Sequence, residues 1–195
     1  MPRNPAATRA RIFEAAYALF YRRGFQRTSL DEIAAKAGVT KRTLYYHVSS
    51  KDALAGAMLA HQHDFVLGQM AQWLGAAPAR GGRRAARAML DKLFDATARW
   101  AETMSRRKHW SGSGFTRMAL ELADLPGHPA RIATRRHKAA VQAELARRLA
   151  ACGVVDAAEI AAQAQMLLEG AMVLILVHGD ARYARLAGAA ARKLI

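Results

Sequence analysis

Between Ser29 and His47 the chain starts a helix, stops it and starts another, and this pair of signals limits the fold more than any other feature. Ser29 precedes Glu32 at the spacing where a hydroxyl and a carboxylate satisfy each other's orphan backbone N–H groups. Leu30, Ile33, Ala34 and Ala37 then form one apolar face at helical spacing. Gly38 ends that helix, Val39 plugs the turn, and Thr40 caps Lys41-Arg42-Thr43-Leu44-Tyr45-Tyr46-His47. The second helix cannot bury itself, because only Leu44 and part of one tyrosine face inward. Its other sides offer Lys41, Arg42, Thr43, Tyr45 and Tyr46, donors suited to phosphates and base edges in a major groove. The competing reading is an ordinary helical hairpin with a solvated charged face. Paired tyrosines speak against it, since a solvent-facing tyrosine gains nothing from packing.

Elsewhere the chain also reads as helix. Ala, Leu and Arg, all strong helix formers, recur throughout, and strand-like alternation is scarce. A helix over 7–23 places Ile12, Ala15, Ala16, Leu19 and Phe20 on one face and stops at Gly24. Ser49, with Asp52 beyond it, caps a helix reaching to about Leu74, and Gly75–Gly82 forms a loop. Further helices are expected over 83–105, 115–124, 129–151 and 156–178, with a last one after Gly179-Asp180. The fold class is all-α, with about nine helices.

The formal net charge is +15, and the basic excess is densest in the first fifty residues. Such a field suits a polyphosphate partner, although arginine-rich composition alone can produce it. Cys152 is the only cysteine, so no intrachain disulfide forms. The start is polar and lacks the apolar core of a secretory signal. The longest apolar run, Ala171–Val177, is far short of a bilayer span of about 20 residues. A cytoplasmic protein without membrane contact is therefore expected. His61 and His63 point to different sides of a helix, so no metal site is expected there, and no cofactor motif is present. None of the usual hydrolase, nucleotide or zinc-protease motifs occurs, so an enzyme is not expected.

The segment 10–54 resembles the N-terminal DNA-binding domain of TetR-family regulators. The likeness rests on Phe20-Tyr-Arg-Arg-Gly-Phe25, Thr28-Ser29, Ile33-Ala-Ala-Lys-Ala-Gly-Val39, Thr43-Leu-Tyr-Tyr-His47 and Ser50-Lys-Asp-Ala-Leu54. Val48 departs from the pattern, where the family usually has Phe, and slightly looser packing is expected. The resemblance implies a DNA-binding domain over 1–50 and an effector-binding and dimerisation domain over 51–195. It makes Lys41 and Thr43 candidates for base-edge contacts. Thr28, Thr40, Tyr45, Tyr46, His47 and Lys51 become candidates for phosphate contacts, with His47 equally a packing residue. The partners implied are a palindromic operator DNA and a small-molecule effector. The function implied is that of a repressor released by its effector, with an activator or a ligand-independent regulator as the alternative. A helical carrier or enzyme with an incidental basic head is the rival of a different class.

Within the implied effector region, Met70, Trp73, Phe94, Trp100, Met104, Trp110, Phe115, Met118 and Met166 can line an adaptable apolar pocket. Any of them is also what a core helix needs. Glu121, His137, Gln165 and Glu169 are candidate polar anchors. The second half of the eighth helix, with Met166, Leu167 and the run Met172–Val177, is apolar nearly all round and calls for burial on more than one side. Small residues of the ninth helix, Ala181, Ala184, Ala187, Gly188 and Ala191, would let partner helices approach. A homodimer through the eighth and ninth helices is expected. Two basic loops are set apart by the alternating direction of the helices: Arg80, Arg83 and Arg84 at the far end, and Arg106–His109 beside the head.

Overall fold

A computed structural model describes residues 4–76, 81–106 and 110–195. The described residues form nine helices and no strand: α1 (Pro5–Arg23), α2 (Leu30–Ala37), α3 (Lys41–His47), α4 (Lys51–Leu74), α5 (Gly82–Ser105), α6 (Gly114–Glu121), α7 (Pro129–Ala151), α8 (Ala157–His178) and α9 (Arg182–Arg192). Arg80, Arg107, Lys108 and His109, members of the two basic loops, lie outside the described residues.

Most boundaries follow from caps visible in the sequence, and three differ. Asn4, accepting from the Ala6 N–H, starts α1 ahead of the expected Ala7. Ser50 rather than Ser49 caps α4, because its Oγ accepts the Ala53 N–H at 3.0 Å. Helix α6 stops at Glu121, short of the expected Asp124. Leu122 turns inward there to full burial, and Arg131 takes the carbonyls of Leu122 and Ala123 at 3.1 and 2.8 Å.

Two compact units result. The first comprises residues up to Phe65 together with Ser113–His137. It buries Ile12, Phe20, Ile33, Leu44, Leu54 and Met58 from the first four helices and Phe115, Met118 and Leu122 from the α6 region. Each fully buried side chain of this size stabilises the fold by about 1.5–3 kcal/mol. Val48 is buried as well.

The second unit comprises Val66–Gly112 and Lys138–Ile195. Its main core gathers Leu90, Leu93, Phe94, Leu145, Leu149 and the small residues Ala161, Ala164 and Ala191. The small face of α9 is occupied within the chain, contrary to the expectation that it serves a partner. A Cβ on Gly188 would lie 2.7 Å from Cβ of Phe94, so α9 packs directly on α5. Ala181, Ala184, Ala187 and Ala191 are buried in the same unit. Helix α8 buries Ala161, Ala164, Gln165, Ala171 and Ile175, while Met166, Val173, Leu174, Leu176 and Val177 remain exposed. Taken as a whole helix rather than an unbroken apolar run, α8 has the length and composition of a membrane span. Glu159 and Glu169 interrupt it, and its buried face is taken by protein.

Candidate nucleic-acid interface

Helix α2 is fixed at both ends by local chemistry. The Ser29 N–H donates to Glu32 Oε2 at 2.8 Å, and the Glu32 N–H donates back to Ser29 Oγ at 3.2 Å. The Ser29 backbone N–H, then its hydroxyl, then Arg23 hold the Glu32 carboxyl below the usual carboxylate range. At the other end Gly38 takes the left-handed conformation, φ +64°, which lets the chain turn sharply into α3.

Helix α3 then presents rather than buries its side chains. Thr40 caps it, accepting the Thr43 N–H at 3.1 Å, and the two hydroxyls share a 2.8 Å hydrogen bond. Leu44 is the single α3 residue that is buried. Tyr46 is 83% exposed and Tyr45 48%, with Lys41 and Arg42 exposed on the same helix. His47 is half-buried and meets the Tyr46 ring edge-on at 5.3 Å between centroids, so it contributes packing whatever else it does. Lys41 is not idle in the free protein. Its Nζ lies 2.9 Å from the Asp31 carboxylate on α2, and that hydrogen bond and charge raise its pKa.

Six of the eight sequence-predicted DNA contacts therefore share α3 and its cap: Thr40, Lys41, Thr43, Tyr45, Tyr46 and His47. Lys51 sits in the first turn of α4 with its Nζ 4.4 Å from the Phe25 ring centroid and 3.4 Å from the Gln26 carbonyl. Thr28 does not join them. It is 1% exposed, and its hydroxyl donates to the Gly24 carbonyl at 2.8 Å, closing the turn between α1 and α2. A side chain so enclosed has no surface to offer a phosphate.

The expected effector set is divided between the two units. Phe115, Met118, Glu121 and His137 belong to the first unit, while Met70, Trp73, Phe94, Trp100, Met104, Trp110, Met166 and Glu169 belong to the second. Met70 and Phe94 are core residues with Trp73 packed against them. Trp100 and Trp110 meet edge to face at 6.3 Å beside a smaller core, and Met104 is half-buried. Met166 is exposed. Glu169 pairs with Lys138, and Gln165 donates to the Lys138 carbonyl at 3.1 Å. His137 stacks on Phe115 at 3.8 Å and meets His63, Nδ1 to Nδ1, at 3.1 Å. An open groove of about 320 Å³ between α5 and α9 includes Phe94 but no other member of the set. A water-sized space of about 10 Å³ beside Tyr17 is bordered by Met118 and Glu121.

Glu121 has a different occupation from the one expected. Its carboxylate accepts the backbone N–H groups of Phe25 and Gln26 at 2.8 and 2.9 Å. His128, buried, accepts the Ala130 N–H on Nδ1, turns its ring edge to Phe25 at 5.1 Å, and brings Nε2 within 3.5 Å of Asp52. Nothing in the local sequence pairs positions so far apart. The acceptor carboxylate at a helix end and the buried histidine become meaningful only once the chain is folded.

Two capped helices about a left-handed glycine, the second one exposed and basic, define an all-α helix-turn-helix protein. Residues 12–58 match the family model of the bacterial regulatory proteins, tetR family. The HTH-type transcriptional regulator TtgR of Pseudomonas putida is 47% identical over 57 residues, 29% of this chain and 27% of TtgR. The HTH-type transcriptional repressor SCO4008 of Streptomyces coelicolor is 44% identical over 57 residues, 29% of this chain and 30% of that protein. In these alignments the chain spans less than a third of the length of the curated relatives it matches. The crystal structure of SCO4454, a TetR-family transcriptional regulator from Streptomyces coelicolor, superposes with a TM-score of 0.78 at 26% identity, covering 96% of this chain and 94% of that one. Residues 12–58 are thus similar to the DNA-binding domain of the TetR family, and the fold of the whole chain is similar to that of a TetR-family regulator.

Proposed function

We propose that the chain is a DNA-binding transcriptional regulator, a repressor released from a palindromic operator by a small apolar or amphipathic effector. The observation that carries the reading is α3, a capped helix that buries Leu44 alone and exposes Lys41, Arg42, Tyr45 and Tyr46. A helix of that kind gains its energy from a partner, and its donors match a major groove. Lys41 and Thr43 read base edges. Thr40, Tyr45, Tyr46, His47 and Lys51 hold phosphates. Residues 1–50 carry the DNA-binding role and 51–195 the effector and dimer roles. The repressor assignment draws support from SCO4008, a relative named as a repressor.

Assembly as a homodimer is supported by the exposed apolar side chains of α8, Met166, Val173, Leu174, Leu176 and Val177, together with Leu186 on α9. So many exposed large apolar groups on one pair of helices favour association with a second copy. Two heads then read two half-sites, and an effector that favours another spacing of the heads lowers operator affinity by population shift. The protein works in the cytoplasm and is a regulator rather than an enzyme.

Selection of duplexes from a random 30-base-pair library by the purified chain tests this reading. Enrichment of an inverted repeat is the expected result. Recovery of no preferred sequence at any salt concentration would overturn it.

A further inference from the structure

The turn between α1 and α2 is held from two sides by groups of opposite charge. On one side Glu121, the last residue of α6, accepts the N–H groups of both Phe25 and Gln26. On the other, Lys51 lays its ammonium over the Phe25 ring and donates to the Gln26 carbonyl. The same two residues thus receive the carboxylate through their backbone N–H groups and the ammonium through a ring face and a carbonyl. The fit at the turn is close: a Cβ on Gly24, whose φ is +91°, would lie 2.8 Å from Glu121 Oε1. The α6 end that carries Glu121 is itself anchored, since Arg131 binds the carbonyls of Leu122 and Ala123, and at the start of the same helix Thr134 donates to the Phe115 carbonyl at 3.3 Å.

We infer that Glu121 is a positioning residue for DNA binding: it clamps the Phe25–Gln26 turn and so fixes the platform from which Lys51 reaches a phosphate. The inference rests on the DNA-binding role proposed above. A carboxylate that accepts two successive backbone N–H groups orients the peptide between them, and the Gln26 carbonyl belongs to the next peptide along. A cation held over a ring and beside a carbonyl keeps its charge while losing rotamer freedom. Removing the clamp frees the turn and scatters Lys51 among its rotamers. The sign of the effect is diagnostic. Deleting an acid from a DNA-binding protein strengthens its attraction to phosphate through the general field, whereas loss of positioning weakens it.

The test uses the full chain and the duplex it selects from the random library, in a double-mutant cycle of E121A and K51A read by fluorescence anisotropy at graded salt. E121A is expected to weaken binding about 3- to 10-fold at low salt and to reduce the salt slope by about one phosphate's worth, as K51A does. The double variant is expected to lose no more than either single one, the non-additivity that marks residues acting through one another. Faster amide exchange at Phe25 and Gln26 in E121A, with thermal unfolding still cooperative, reports the clamp itself. Should E121A fail to fold, E121Q takes its place in the cycle, since its carboxamide oxygen can accept one of the two N–H groups. Unchanged or strengthened binding, or losses that add, would overturn the inference while leaving the DNA-binding reading intact. Failure of the unaltered chain to bind any duplex would overturn both.

Discussion

Asp31 on α2 holds Lys41 on α3 in an ion pair of 2.9 Å on the exposed side of the helix-turn-helix. Both side chains are more than half exposed, so the pair adds little to stability, as is usual for a surface ion pair. If Lys41 reads a base edge as proposed, the consequence of the pair falls on recognition. To reach a base edge Lys41 must leave Asp31, and a site that offers no acceptor leaves the pair intact. Asp31→Asn is expected to tighten binding to random duplex while narrowing the ratio between selected and scrambled sequences. Competition titrations with both duplexes would check this, and equal tightening on the two would count against a selective role.

Phosphate and base contacts separate by their salt signatures. Tyr46→Ala and Lys51→Ala are expected to weaken binding to all sequences, with Lys51→Ala also reducing the salt slope by about 1. Lys41→Ala should relax preference at one base pair by about 1–3 kcal/mol. Anisotropy on a panel of single-base variants distinguishes these outcomes. Unchanged affinity in all three variants would remove α3 from the groove.

Much of the candidate interface is legible in the sequence because the caps and turn that shape it are local. Ser29 with Glu32, Gly38, and Thr40 with Thr43 act within three or four residues, and the folded chain forms each hydrogen bond they imply. Thr28 illustrates the limit. Its residue type fits a phosphate contact, but its hydroxyl finds the Gly24 carbonyl one turn away and its side chain is enclosed by the fold. Glu121 illustrates another. Its partners lie 95 and 96 residues away in sequence, and no periodicity links them. The expected effector residues share a chemical type and not a stretch of sequence, and packing distributes them over two units.

Helix α8 supplies a test of assembly. Leu174→Glu is expected to give monomers or insoluble protein, because a carboxylate desolvated without a partner is costly. Val155→Glu is the control: Val155 is equally apolar and 78% exposed but precedes α8, and its replacement is expected to leave the dimer intact. Light scattering on both variants settles the comparison, and a stable dimer with Leu174→Glu would remove α8 from the interface.

Acid should act on the second unit through Glu144. Hydrogen bonds from Arg147 and Arg148 pull its carboxyl down to about 2, and Arg148, itself buried, also donates to the Gly75 carbonyl at 2.9 Å. A depressed carboxyl binds protons less readily folded than unfolded. Its contribution is therefore complete above the ordinary carboxylate pKa and is lost as pH falls from about 4.5 toward about 2. Since the side chain is partly exposed, solvent screening holds the contribution to about 1 kcal/mol or less. Glu144→Gln should lower the melting temperature at neutral pH and flatten its decline in acid; an identical pH profile in the variant would exclude Glu144 as a contributor.

The proposed role of α3, reading DNA as one of a pair of heads, is put to the test by titrating the purified chain with the selected inverted repeat, a single half-site and a scrambled duplex across a range of salt. The expected result is a stoichiometry of two chains per inverted repeat. Affinity should fall steeply with salt, and the half-site should bind far more weakly than the full repeat. Equal affinity for all three duplexes, or binding indifferent to salt, would contradict it.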